Sequence, residues 1–406
     1  MSLVSNKIEK KLAQRDDQLI YLMTVTEAIN ENATIDKLFD IYVEGVHRFY
    51  RTHEITFCIS ENESIKVLST SAENTAEDYV LLFRHYLHHK TLPHHSAEGD
   101  LYIPVYHKHY LIALAHFKNI QVWNTDLCFL KTITNFVAIA IENKRLFREK
   151  IEQENYKTQL SLARKIQNSL MPHQFLNTRY LEFRTLYIPH NEVSGDYFDF
   201  FHIENSNISI FCIADVAGKG IPAALLMANL QANLRRLSIN FTDLKTLITE
   251  LNEAIYENML GERLITIFLA AYDIVKSELF YINAGHHYPI LVTQEREYCF
   301  LKKGTIPLGI VPHLPNVQLG RKKITEDSVI LAYTDGLEQI KNIEGKNMES
   351  KDMIFVLDRI PFGNIDDIAD KFRSFIEKMS DNEPIADDIT VLLCRIKTIE
   401  INEHAK

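Results

Sequence analysis

Acidic residues at the ends of apolar runs are the feature of this 406-residue chain best suited to chemistry. Asp215 closes the run ISIFCIA and is followed by Val-Ala-Gly-Lys-Gly, and Asp335 closes SVILAYT and is followed by Gly336. Asp387 and Asp388 directly precede ITVLLCRI, and Asp196 follows Val-Ser-Gly and precedes the aromatic run YFDFF. Each carboxylate stands where a strand meets a turn, a place where a rigid scaffold fixes a side chain yet leaves it accessible. Carboxylates that converge repel one another unless a cation lies between them. Mg²⁺ and Mn²⁺ are the oxygen-seeking ions suited to that place, and two of them about 3.5–4 Å apart can clamp a phosphoryl group. An Asp-Gly pair after a strand is also an ordinary turn, and spacing alone leaves open whether the four sites meet. His286, after Gly285 at the end of Glu278–Asn283, reads either as a general acid for a leaving oxygen or as a hydrogen-bonding group that fixes its loop.

The elements that must position these residues are legible as alternating blocks. Residues 173–398 are dominated by strands, at Leu181–Tyr187, Ile208–Ala214, Leu264–Asp273, Glu278–Asn283, Ser328–Tyr333 and Ile389–Ile396. Two helices, Pro222–Leu237 and Thr242–Met259, interrupt them. Strand blocks separated by helix blocks predict largely antiparallel α+β layers rather than βαβ alternation. Residues 20–147 read as helix, mixed strands, helix. Two amphipathic helices break near Glu31–Thr34, strands follow at 54–60, Leu101–Val105 and Tyr110–Phe117, and a long helix begins with apolar residues at Leu130, Ile133, Val137 and Ile141. That helix runs on through 142–168 without Gly or Pro, and Pro172 ends it. Its sparse apolar positions, Leu146, Ile151, Leu160, Ala163, Ile166 and Leu170, suit a connector that partly pairs with a second chain, or a solvated helix lying on the next domain. The expected layout is a helical segment 1–19, a sensor domain 20–147, a connector helix 148–172, a catalytic domain 173–398 and a tail 399–406.

Composition bounds the function. Hydrophobic residues make up 46% and charged residues 24%, with 13 Gly and 11 Pro, as in a globular chain with ample core. A net charge of −10 argues against nucleic-acid binding and fits cations or a basic partner surface. The five cysteines are scattered without C-x-x-C spacing and read as reduced thiols in a reducing compartment. No signal-peptide core opens the chain and no stretch of 18 apolar residues occurs, so the expectation is a cytoplasmic protein with no membrane span.

Seven segments in order carry a family resemblance: ARKIQNSLMP, VSGDYFDF, IADVAGKGIPAALLMANLQANLR, INAGHHYPILV, IPLGI, AYTDGLEQ and ADDITVLL. Together they resemble the metal-dependent PPM phosphatases, in the bacterial branch similar to the stage II sporulation protein E phosphatase and the RsbU-type stress regulators. The resemblance implies a β-sandwich flanked by helices, a centre of two Mn²⁺ or Mg²⁺ ions at one edge, and hydrolysis of phosphoserine or phosphothreonine without a phosphoenzyme. It places Asp196 as the first metal-binding acid and Asp215 as the acid shared by both ions. It places the backbone carbonyl of Val216, Asp335 and Asp387 as further ligands, with Asp388, the neighbour of the last, as another candidate metal ligand. Ser194 stands where Gly is frequent, and Ala217 and Lys219 replace the usual Ser and His; none of these departures touches a carboxylate. No residue matches the phosphate-binding Arg of the eukaryotic branch, which leaves phosphate positioning mostly to the metals. The substrate implied is a phosphorylated anti-sigma-factor antagonist of the STAS type.

The N-terminal region resembles a GAF sensor domain in IDKLFDIYVEGVHRFY, LYIPVYHKHYLIALAHF and FLKTITNFVAIAIENKRLF, which implies a small ligand or protein signal there. His85, His88, His89, His94 and His95 suggest either a metal site or solvated loop surface. A homodimer through the connector helix completes the expected assembly. The rival reading is a non-catalytic signalling module that uses the phosphatase fold only to bind a partner. A two-metal nuclease conflicts with the acidic charge and the lack of a basic channel.

Overall fold

The computed structural model describes residues 2–52, 54–61, 64–70, 79–80, 83, 86, 94–95, 99–122, 127–341, 346–380 and 386–398. His85, His88 and His89, and the side chains of His94 and His95, lie outside the described set. The chain forms two compact units, Met1–Asn155 and Tyr156–Lys406.

In the first unit, helices α1 (Ser2–Asn30) and α2 (Ile35–Phe49) break where the sequence predicts, at Glu31–Thr34. Thr34 caps α2 by accepting the Lys37 N–H. The strands Glu54–Glu61 (β1), Ser64–Ser69 (β2), His94–His95 (β3), Leu101–His107 (β4) and Tyr110–Lys118 (β5) form an antiparallel sheet in the order β2-β1-β5-β4-β3. Helix α3 (Leu127–Leu170) supplies Leu130, Ile133, Val137 and Ile141 to a core shared with Tyr42, Val46 and Phe117. The helix stops two residues before Pro172, and the boundary between the two units falls within it.

In the second unit two sheets face one another. One is Tyr197–His202 (β7), Ile208–Val216 (β8), Ile265–Asp273 (β9), Glu278–Ala284 (β10) and Gly304–Thr305 (β13), with Gly320–Lys323 (β14) also paired to β10. The other runs, in spatial order, Tyr298–Phe300 (β12), Ile290–Thr293 (β11), Ser328–Tyr333 (β15), Ile389–Ile396 (β16) and Leu181–Ile188 (β6). Nearly every residue of β9 is buried, so both faces of its sheet are covered. Helices α4 (Ile221–Ser238) and α5 (Leu244–Met259) share a core with the first sheet. Helices α6 (Ser350–Asp358) and α7 (Ile365–Ser380) share one with the second. The expected two helices are thus four among the described residues: α7 buries only the stripe Ile365, Ile368, Ala369, Phe372 and Ile376 and intersperses it with charge. All five cysteines are unpaired, and Cys58, Cys212 and Cys394 fill core positions.

An ion pair between the exposed Arg235 and the buried Asp199 ties α4 to β7. Asp199 accepts bonds at 2.7 and 2.6 Å from the Arg235 guanidinium and one at 2.5 Å from the Tyr197 hydroxyl. Breaking such a pair from one side costs about 3 kcal/mol or more, because a charge stays buried without its partner. The Asp of YFDFF is therefore a strut for the helix that follows Asp215, not a member of the acid cluster.

Candidate active site

The five acids sit at strand ends on both sheets. Asp215 lies in β8 and Asp196 immediately precedes β7, while Asp335 follows β15 and Asp387 and Asp388 precede β16. Adjacent pairing of β7 with β8 and of β15 with β16 gathers them at one edge of the sandwich. Gly336 makes the closest approach possible, since a Cβ there would stand 2.0 Å from the Asp388 carbonyl oxygen. Gly195 does the same for the other sheet: its Cβ would stand 2.8 Å from the Val216 carbonyl oxygen, the backbone group singled out from the sequence.

Electrostatics records the convergence. Burial and then the charges of Asp335, Asp387 and Asp388 push the Asp215 carboxyl up to about 6. Asp196, 2% exposed, is raised well above the carboxylate range by burial first, with Asp215 and Asp388 adding repulsion. Two threonines hold Asp196 in place: the Thr334 and Thr390 hydroxyls donate to its Oδ2 at 2.9 and 2.5 Å. These threonines also clasp β15 to β16, with Thr390 N–H donating to Thr334 Oγ1 and Thr334 N–H to the Thr390 carbonyl. Asp388 instead faces backbone, accepting the His190 N–H at 2.7 Å and the Gly195 N–H at 3.3 Å, and so braces the loop before Asp196. Asp387 receives the Asp388 N–H and pairs with Lys219 at 3.1 Å.

All of these donors are hard oxygens and their charges repel, the donor chemistry that Mg²⁺ or Mn²⁺ takes. Among the described residues, no three His, Cys, Asp or Glu side chains close up to ligand spacing by themselves.

Residues 207–397 match the family of stage II sporulation protein E (SpoIIE). The C-terminal unit carries a SpoIIE-type phosphatase domain. Its class is that of the PP2C-like serine/threonine phosphatases. The chain is similar to the phosphoserine phosphatase RsbU of Bacillus subtilis, 26% identical over 247 residues that cover 60% of this chain and 72% of RsbU. Protein IcfG of Synechocystis is 24% identical over 236 residues, 51% of this chain and 37% of that one. The chain thus spans little more than a third of IcfG. The SiaA-PP2C domain of Pseudomonas aeruginosa superimposes with a TM-score of 0.53 at 20% identity, over 61% of this chain and 99% of that structure, and shares the fold.

Within the SpoIIE-type domain the two neighbouring histidines take opposite settings. His286 is 4% exposed, its N–H donates to Asn283 Oδ1 at 2.8 Å, and its Nδ1 lies 3.0 Å from Thr266 Oγ1. Burial drives its pKa down to about 3. These contacts are the ones a loop-fixing group makes. Thr266 is directly opposite Asp215 in the β8–β9 register, so the loop that His286 fixes is tied beside the acid cluster. His287, which the sequence reading passed over, is partly exposed and pairs through Nδ1 with Glu338 at 3.3 Å. Its pKa is raised by the Glu338 hydrogen bond first, with Asp335 and Asp215 contributing.

The depressed pKa of His286 makes stability depend on pH. Between about 3 and the unfolded value near 6.5 the unfolded chain binds the proton and the native one does not. Stability is therefore complete above that unfolded value and is lost as pH falls below it, by roughly 1 kcal/mol per pH unit at most. Denaturant melts of His286→Gln at pH 7.5 and 5.5 are expected to show a smaller loss on acidification than the wild type. An equal loss contradicts the buried neutral imidazole.

A second residue of the phosphatase domain that sequence reasoning missed is Gln167, in the last turns of α3. It is 4% exposed, donates from Nε2 to the Ser194 carbonyl at 2.6 Å and accepts the Ser194 N–H at 3.1 Å. This amide clasp holds the backbone two residues before Asp196. Its sequence signal is the segment ARKIQNSLMP, which carries the resemblance without singling out the Gln.

Proposed function

We propose that this chain is a metal-dependent phosphoprotein phosphatase that removes phosphate from serine or threonine of a STAS-type anti-sigma-factor antagonist. The observation that carries the reading is the gathering of carboxylates from both sheets, with Asp215 facing the charges of Asp335, Asp387 and Asp388. Asp196, Asp215, the Val216 carbonyl, Asp335 and Asp387 would hold two Mn²⁺ or Mg²⁺ ions. When bound, such ions supply charge neutralisation of the phosphoryl group and an activated water. The chain itself fixes the acids through Thr334, Thr390 and Gly336. Asp388 acts by bracing the 190–195 loop rather than as a ligand. His287 is placed to hold and move a proton through its imidazole at the open side of the cluster, and His286 keeps the neighbouring loop in register. The similarity to RsbU, named a phosphoserine phosphatase, supports the reaction.

The test is phosphate release from a serine-phosphorylated STAS protein by the full chain. Release that requires Mn²⁺ or Mg²⁺ and stops on adding a chelator is expected. No release, or release indifferent to chelation, contradicts the proposal and favours a binding module.

We also propose that the first unit is a GAF-like sensor for a small ligand or protein signal, acting through α3 on the phosphatase, in a cytoplasmic homodimer. Among the described residues no helix is long and apolar enough to cross a membrane. Leu146, Phe147, Ile151, Tyr156, Leu162 and Ile166 are exposed along α3, as a helix that meets a second copy would leave them. Gln167 offers the route from helix to site, because a turn of α3 would move Ser194 and with it Asp196. Inserting two residues after Glu154 rotates the following helix face by roughly 200°. The insertion is expected to change turnover at least severalfold while both units stay folded by circular dichroism. Unchanged turnover with an unchanged monomeric mass contradicts the coupling.

A further inference from the structure

The loop between Asp215 and α4 carries an acid of the cluster at one end and, four residues on, a cation that reaches another acid of the same cluster. The Lys219 ammonium stands 3.1 Å from Asp387 Oδ2 and donates to the Ala386 carbonyl at 3.2 Å. The point from which this lysine departs is fixed. Gly218 and Gly220 take φ of +116° and +74°, which only glycine adopts without strain. Arg263 Nη1 donates to the Ala217 carbonyl at 3.2 Å, and a Cβ on Gly218 would stand 2.3 Å from that same nitrogen. The pair is a poor device for stabilising the fold. The Lys219 side chain is 53% exposed, and ion pairs so open to water contribute little. What the pair does supply is a positive charge on Asp387 within the acid cluster.

We propose that Lys219 is the built-in counter-ion of the acid cluster: its ammonium holds Asp387 in the metal-free chain and must be displaced when a divalent cation takes that carboxylate. The inference rests on Asp387 being a metal ligand. Displacement breaks the charge-assisted contact to Asp387, so Lys219 weakens metal binding and sets the concentration at which the site fills. The displaced ammonium stays at the rim of the site, and an arriving phosphoryl dianion gives it a new partner. Metal and phosphorylated substrate then favour one another's binding, as linkage requires.

The test is calorimetric titration of Mn²⁺ into the full chain, for the wild type, Lys219→Gln, Asp387→Asn and the double variant. Lys219→Gln is expected to tighten Mn²⁺ binding by about fivefold, the upper end for one exposed ion pair that the metal must break. The same substitution is expected to have no effect in the Asp387→Asn background. Equal or weaker binding by Lys219→Gln overturns the counter-ion role while leaving the metal site standing. So does a fivefold gain that persists in the double variant relative to Asp387→Asn alone, because the lysine then acts elsewhere. No saturable Mn²⁺ binding by the wild type overturns the metal reading of Asp387 and the counter-ion with it.

Discussion

Asp215→Asn is expected to lower Mn²⁺-dependent turnover by roughly a hundredfold or more while leaving the metal-free protein at least as stable as the wild type. A hundredfold loss corresponds to about 2.7 kcal/mol of transition-state stabilisation, a modest figure for a carboxylate shared by two ions. The gain in metal-free stability has a separate cause. Burial and three neighbouring acids raise the Asp215 carboxyl to about 6. A raised carboxyl contributes stability below its unfolded value, near 4, and loses it as pH rises through 6. At pH 7 the ionised group therefore destabilises the metal-free fold, on the order of 3 kcal/mol. Asparagine keeps the shape and removes the charge. Thermal melts with and without Mn²⁺, beside a turnover assay, separate the two effects. Near-normal turnover contradicts the shared-ligand role, and a metal-free Tm well below the wild type contradicts the buried, mutually repelling cluster.

Gly336→Ala is expected to damage both the fold and the site. The added methyl would sit 2.0 Å from the Asp388 carbonyl oxygen and 2.8 Å from its carbonyl carbon. Both are backbone atoms at the start of β16, with no flexible side chain able to yield. The turn that carries Asp335 must therefore move away from Asp387 and Asp388. Overpacking of this kind costs about 2–3 kcal/mol, which for a unit of this size lowers Tm by roughly 5–10 °C. Turnover is expected to fall more than tenfold at temperatures where the variant is still folded, because Asp335 no longer faces Asp215. A variant with unchanged Tm and turnover shows that the turn is not held against Asp388.

The same contacts explain what was readable in advance. Ser328–Tyr333 and Ile389–Ile396 are strands with the expected bounds, because each is a mostly apolar run buried on both faces. The break at Glu31–Thr34 was readable for a similar reason, as a polar gap between two amphipathic stripes. Helix α7 went unread because its apolar stripe is diluted by Asp366, Asp367, Asp370, Lys371 and Arg373, so no apolar run announces it. In the site, the acids were legible because each abuts a strand. Their different hydrogen-bond partners were not. Asp388 differs from Asp387 only in what lies across the fold, the N–H groups of His190 and Gly195 rather than Lys219. His286 and His287 are adjacent in sequence, yet one is sealed against Thr266 and the other opens toward Glu338. Gln167 gains meaning only from Ser194, 27 positions away.

The central claim is that acids from the two sheets jointly hold two metal ions. Its most direct test is an anomalous difference map, recorded at the manganese edge, from crystals of the full chain grown with Mn²⁺. Two peaks about 3.5–4 Å apart, bounded by Asp196, Asp215, Asp335 and Asp387, are the expected result. A map with no peak between these four carboxylates, in crystals of an enzyme that is active in Mn²⁺, would contradict it.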